Sequence, residues 1–207
     1  MAGVNPDWRD GFLFVGNHLC LDFVNTRPVM NGQAVELLSD WQALLRWFRA
    51  ADLVSEVEMD ALKRQWEKRP EAGACLEELR SFRESLRATV LRLEAGVEPA
   101  SKTVIELNLL QRAHPMVLEL RRTERGLERR RVFASRRPDD LIAPLVDAAA
   151  DMLVDIDPAR LRKCEACVLH FYDASKNGAR RWCSMQICGN RSKVAAYAER
   201  MRRRKRE

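Results

Sequence analysis

The chain has 207 residues, 46% hydrophobic and 32% charged, with a formal charge of +6. That length supports one substantial core or a core plus a small module, and the evenly recurring apolar residues exclude a disordered chain. No apolar run reaches the roughly 20 residues that span a bilayer, and the opening Met1–Trp8 lacks a signal peptide's basic start and apolar stretch, so a cytoplasmic protein is expected.

Residues 12–27 form a dense apolar segment that reads as a strand entering a short helix, with Gly16-Asn17 as the break. Its polar residues His18, Asp22, Asn25 and Thr26 lie close together. They are the candidates for a ligand pocket, or for an active centre; the competing reading is that they cap and tie a buried helix. Ser39 followed by Gln42 is a capping box, opening a helix with Leu44, Leu45, Phe48 and Leu53 at helical spacing. Ser55 with Glu58 starts the next, which runs through Leu62 and Trp66 until Pro70 interrupts it.

A long helix is expected from Glu71 to Ala95, with Leu76, Leu79, Phe82, Leu86, Val90 and Leu93 inward and Gly96 as its stop. Ser101 should cap a shorter one carrying Ile105, Leu109 and Leu110, ending before His114-Pro115. Residues 116–122 and 127–133 then alternate around Gly126, a hairpin signal. A last helix of the body is expected from Asp140 to Val154, and Asp155–Pro158 marks the boundary. The fold class is therefore α+β: a mainly helical domain over 1–158 with a small hairpin, followed by a second module over 159–207.

That second module holds four of the six cysteines: Cys164-x2-Cys167, fifteen residues, then Cys183-x4-Cys188. A two-residue gap lets two thiolates of one tight turn reach a single ion, and a second pair across a loop completes a tetrahedron. Zinc suits four thiolates, with an iron–sulfur cluster as the competing occupant. Four protein ligands close the site, leaving no position for a catalytic water. Cys20 and Cys75 have apolar neighbours and read as free buried thiols. Residues 168–172 should form a strand, with Arg180–Trp182 returning antiparallel and a helix following Cys188, a treble-clef-like finger. Its helix would carry an apolar stripe of Val194, Ala198 and Met201. His170 lies mid-strand and is assigned to packing.

Charge is distributed unevenly. From Arg160 to Glu207 there are 14 Lys+Arg against 4 Asp+Glu, a net +10; residues 1–159 hold 22 against 26, a net −4. The basic end points to a polyanion, nucleic acid first. Arg180, Arg181, Arg191, Lys193, Arg200, Arg203 and Arg204 are the candidate nucleic-acid contacts. Arg191 has a second reading, a brace against Asp173. Gly189 is expected to aim its N–H at a thiolate, and Asn190 to cap the following helix.

The run Phe171–Lys193, containing Arg181-Trp182-Cys183-Ser184-Met185 and Cys188-Gly189-Asn190-Arg191, resembles the CGNR zinc-finger family, as does the Cys164-x2-Cys167 pair. Leu21-Asp22-Phe23-Val24-Asn25-Thr26 resembles the opening motif of the ABATE domain that precedes the finger in that family. The resemblance implies zinc on Cys164, Cys167, Cys183 and Cys188, and a bacterial stress-induced transcription regulator. DNA is the expected partner of the finger, the helical domain is expected to sense a small-molecule effector or to form a homodimer, and no membrane is expected. A non-DNA adaptor binding RNA or an acidic protein, and an enzyme in the N-terminal domain, are the alternatives. Two separable modules are expected: chelation should unfold the finger and leave much of the body, and truncation at Ile156 should remove DNA binding.

Overall fold

A six-residue helix, α1 (Leu19–Val24), lies at the centre of the molecule; Cys20 to Val24 are all buried. The computed structural model describes residues 7–30 and 32–204. Around α1 stand α2 (Trp41–Ala50), α3 (Glu56–Trp66), α4 (Pro70–Glu94), α5 (Ser101–Ala113) and α6 (Ala143–Asp155), with α7 (Asn190–Arg204) beyond the finger. Strands occur only as two-stranded antiparallel hairpins among the described residues: β1 (Trp8–Arg9) with β2 (Phe12–Leu13), β3 (Val29–Met30) with β4 (Gln33–Ala34), β5 (Val117–Thr123) with β6 (Gly126–Val132), and β7 (Leu161–Lys163) with β8 (His170–Tyr172).

Helix starts follow local chemistry, with three departures from expectation. The capping box at Ser55 and Glu58 forms as read. The cap of α2 is Asp40, whose carboxylate accepts from the Ala43 N–H at 2.8 Å. Ser39 instead gives its hydroxyl to Asp40, and Leu53 lies beyond the helix end. Two adjacent residues could cap there, and the charged acceptor, which makes the stronger bond, wins. Ser101 is the first helical residue of α5 and makes no cap bond; only Leu107 of that helix is buried, while Ile105 and Leu109 face solvent. Before α6, Pro138–Ile142 forms a 3-10 turn, so the α-helix proper begins at Ala143. Pro70 takes the first position of α4, where its missing N–H costs nothing.

The main core gathers Phe23, Leu44, Trp47 and Phe48 with Leu79, Leu86 and Val90 of α4 and Leu141, Leu145 and Met152 around α6. Trp47 meets Phe23 at 5.3 Å between ring centres and Phe48 edge-on at 5.4 Å. Within this core Arg83 of α4 is 1% exposed. Its guanidinium bonds both oxygens of Glu36, at 2.7 and 2.5 Å, and donates to the Thr26 hydroxyl at 3.0 Å. Burial alone would raise the Glu36 pKa, but the hydrogen bonds and charge of Arg83 outweigh it and hold the carboxyl below its ordinary range. Arg83 also meets Glu84 at 3.1 Å, and the bidentate pair with Glu36 ties α4 to the chain after α1.

A smaller core surrounds the four clustered cysteines, and the two cores share strands. Phe12 and Phe14 pack into the main core; Leu13 and Val15, on the alternate face, pack against the cysteine core with Leu169 and Phe171. β8 does the same in reverse: Phe171 faces the cysteines, while Tyr172 packs on the main core and β7 contributes Leu161 to it. The boundary at Pro158 divides the sequence but not the packing.

Candidate metal centre and basic helix

Cys164 directly follows β7, and Cys167 lies in the tight turn that leads to β8. Two backbone bonds set the turn, Cys164 N–H to the Leu169 carbonyl at 2.8 Å and Val168 N–H to the Cys164 carbonyl at 3.0 Å. The turn forces Val168 to φ +57°, a strained setting for a β-branched residue. β8 pairs with β7, Lys163 opposite His170, rather than with Arg180–Trp182 as expected. The latter segment touches the turn through one backbone bond, Glu165 N–H to the Arg181 carbonyl at 3.1 Å. It lacks the length and alternation for a ladder.

Cys183 precedes Ser184, whose side chain accepts from the Ile187 N–H and starts a π-helical turn, Met185–Gly189, that carries Cys188. The turn runs without a break into α7. Ser184 is thus the cap expected of Asn190, which is itself helical and donates to the Gln186 carbonyl at 3.1 Å. The Gly189 N–H goes to the Ser184 carbonyl, not to a thiolate. The Met185 side chain lies over Gly189, and a Cβ there would come within 2.9 Å of its sulfur, so a larger residue would have to displace that flexible side chain.

The four sulfurs lie within 4.8 Å of one another, with Cys167–Cys183 at 3.5 Å and Cys183–Cys188 at 3.7 Å. A tetrahedral site with sulfurs about 2.3 Å from zinc needs sulfur–sulfur edges of roughly 3.8 Å, so the cluster has the right size. Without a cation such a cluster shares protons. Hydrogen bonds from Cys167 and Cys183 pull the Cys164 thiol below its ordinary value, while their own are pushed up, Cys167 to about 12. Four thiolates at once require a dication between them, and the soft, closed donor set fits zinc.

His170 is not a ligand. It is 3% exposed, its Nδ1 lies 2.7 Å from Glu94 of α4, and its backbone is gripped by Asn25. The Asn25 amide donates to the His170 carbonyl at 2.8 Å and accepts its N–H at 2.9 Å. Asn17 donates to the Tyr172 carbonyl at 2.8 Å, and Tyr172 N–H to the Gly16 carbonyl at 2.8 Å. The remaining polar residues of this motif are also engaged inside the chain. Asp22 accepts from the Gly16 N–H at 2.7 Å, Thr26 donates to Phe23 and accepts from Arg83, and His18 caps α1 by accepting from Cys20. Burial pushes the Asp22 pKa up to about 7 against the pull of the Gly16 N–H and Arg9, and lowers that of His18 against Asp151 and Asp155. Of these four, Asn25 bonds across to β8, while His18, Asp22 and Thr26 tie the N-terminal motif to itself and to Arg83. Cys20 and Cys75 are free and buried, burial pushing both thiols up to about 12.

The basic residues divide in two. Arg180 stacks over Phe171 at 5.2 Å and donates to the Cys183 carbonyl; Arg181 pairs with Glu165 at 2.9 Å and lies over Trp182. Both brace the loop between the cysteine pairs. Asp173 is fully buried and accepts from Ser175 and Arg180 N–H groups, so Arg191 does not brace it. Arg191, Lys193, Arg200, Arg203 and Arg204 lie exposed along α7; of these only Arg203 has an ion pair among the described residues, with Glu199 at 2.8 Å. No residue of α7 is buried, and the expected stripe faces solvent, Val194 at 68%. Lys205 and Arg206 fall outside the described residues.

The family model ABATE, described as "Putative stress-induced transcription regulator", matches residues 17–156. A second model, the CGNR zinc finger, matches residues 160–201. No curated protein matches the chain. The matched families are regulatory and zinc-finger types rather than enzymes. No helix of the described residues is long and apolar enough to cross a membrane.

Proposed function

The chain belongs to the ABATE family with a C-terminal CGNR zinc finger, and from that premise we propose that it is a DNA-binding regulator in which zinc holds α7 out as the DNA-contacting element. The observation that carries this reading is the state of α7. It is a fifteen-residue helix with no buried residue, fixed to the protein only at its start, and five of its six described cations have no counter-charge. An isolated helix of that length is marginal in water, so it calls for a partner. Phosphates answer the charge: binding by five or six such contacts would weaken by several powers of ten in affinity per power of ten in salt.

Zinc has a structural part here. It welds the β7–β8 turn to the π-helical turn, and so fixes the direction in which α7 leaves the body. The test is selection of bound sequences from random duplexes by the zinc-loaded protein at near-physiological salt. Enrichment of a motif is expected. Uniform weak binding, or stronger retention of single-stranded RNA competitor, would turn the reading toward an adaptor.

A further inference from the structure

The β5–β6 hairpin stands almost wholly in solvent: apart from Thr123 and Val132 every residue in its strands is exposed. The pairing register sorts its charges by face, because directly opposed residues share a side of the ribbon. One face carries Glu119 opposite Arg130 and Arg121 opposite Glu128. Those charges are balanced, and Arg121 and Arg130 line a cleft against the α2–α3 turn with Leu53, Val54 and Glu58. The other face carries Leu118 opposite Arg131, Leu120 opposite Arg129 and Leu127 opposite Arg122, with no acid.

Arg131 anchors the root of the ribbon, reaching Asp147 at 2.8 Å and Asp151 at 2.9 Å on α6. Further out, Arg122, Arg129 and Arg125 at the tip have no hydrogen-bonded or ion-paired acid among the described residues, and Leu118, Leu120 and Leu127 are 61%, 72% and 66% exposed. A lone two-stranded ribbon is marginal in water, so this face calls for a partner. Two strands about 4.8 Å apart fit within a major groove about 12 Å wide.

We propose that the β5–β6 ribbon is a second DNA-contacting arm, in which Arg122, Arg125 and Arg129 meet phosphates and the three leucines meet apolar base edges in the groove. This rests on the DNA-binding reading of α7 and adds a separate element to it. A ribbon and a helix from one chain would then hold the duplex at two places, the ribbon's direction fixed by the Arg131 anchor as that of α7 is fixed by zinc.

The test measures duplex affinity of the full zinc-loaded chain between 50 and 200 mM salt, for wild type, R122A/R125A/R129A and R122K/R125K/R129K. The alanine variant should bind more weakly, with a plot of log affinity against log salt shallower by about 2 to 3, and the lysine variant should regain most of that slope. The threonine variant L118T/L120T/L127T should weaken binding without changing the slope. An alanine variant with wild-type affinity and slope overturns the proposal, and the reading of α7 survives if R200A/R203A/R204A still weakens binding. Wild type that binds no duplex removes both. Two other outcomes overturn the ribbon's assignment in favour of another occupant. One is loss, in the threonine variant, of a dimer seen by light scattering; the other is its loss of binding to anionic phospholipid vesicles while duplex affinity stands.

Discussion

The inner half of the zinc finger and its terminal helix are adjacent in sequence and opposite in physical character. Around β8 every strong polar group has a partner: Asn25 holds both backbone groups of His170, Glu94 holds its ring, and Asp173 is saturated by N–H donors. Along α7 no residue is buried, and among the described residues its only ion pair is Arg203 with Glu199. Saturated polar groups in a core specify architecture, because leaving one unmatched costs more than making it gains. Unmatched exposed charges contribute little to folding and are available to a ligand. The polar groups of the N-terminal motif are thus engaged in holding the fold, and the DNA reading rests on the helix.

Zinc removal should show the contrast most strongly. Binding free energies of roughly 10 kcal/mol or more are typical of four-ligand structural zinc at neutral pH. Because β8 and residues 12–15 belong to both cores, chelation should cost the α1 amides their hydrogen-exchange protection, not those of the finger alone. An α1 that stays protected in chelator would restore the picture of two separable modules.

Asn25→Ala comes next. It strands the N–H and carbonyl of His170 in a buried site, a loss of about 3 kcal/mol if each group costs its usual desolvation. Thermal melts of the zinc-loaded protein check it; a change under about 0.5 kcal/mol would mean that the grip is not made.

Asp22→Asn is smaller and has a sign that depends on pH. The Asp22 carboxyl titrates near 7 in the folded chain and near 3.8 when free, so between those values the folded state binds the extra proton. Stability from this group is therefore full below about pH 4 and is lost as pH rises through 7. The amide variant keeps an acceptor for the Gly16 N–H without the charge. It should flatten the decline in melting temperature between pH 4 and 7, by an amount worth a few kcal/mol at most. An unchanged pH profile would remove the role given to burial.

The four ligands and most helices were legible because their signals are local. Cysteine spacing encodes one turn and one loop; Ser55 and Glu58 encode a cap within four residues. The joining of the two cores was not legible as such. Asn25 bonds backbone groups 145 residues away, and a backbone carbonyl leaves no mark on the sequence. A trace did exist in Phe12-Leu13-Phe14-Val15, since an unbroken apolar run signals a segment covered on both faces. Arg83 gave no signal either, as an arginine in a helix is ordinarily exposed and its match Glu36 lies 47 residues earlier. Within the finger, residue type suggests a cap at Asn190 and a thiolate contact at Gly189, but the helical turn already starts at Ser184, so Asn190 is inside the helix and the Gly189 N–H bonds the Ser184 carbonyl.

The sharing of cores also decides where to cut. Truncation at Ile156 would remove Leu161 and leave Asn25 without β8, so loss of binding there would report unfolding. Deletion of residues 190–207 keeps all four ligands and both cores. For that protein, zinc content and melting temperature should stay close to those of the full chain, while duplex affinity falls by at least two powers of ten at about 0.15 M salt and its salt dependence becomes shallow. A deletion protein that retains full duplex affinity would contradict the account, and would place the DNA contacts elsewhere on the molecule.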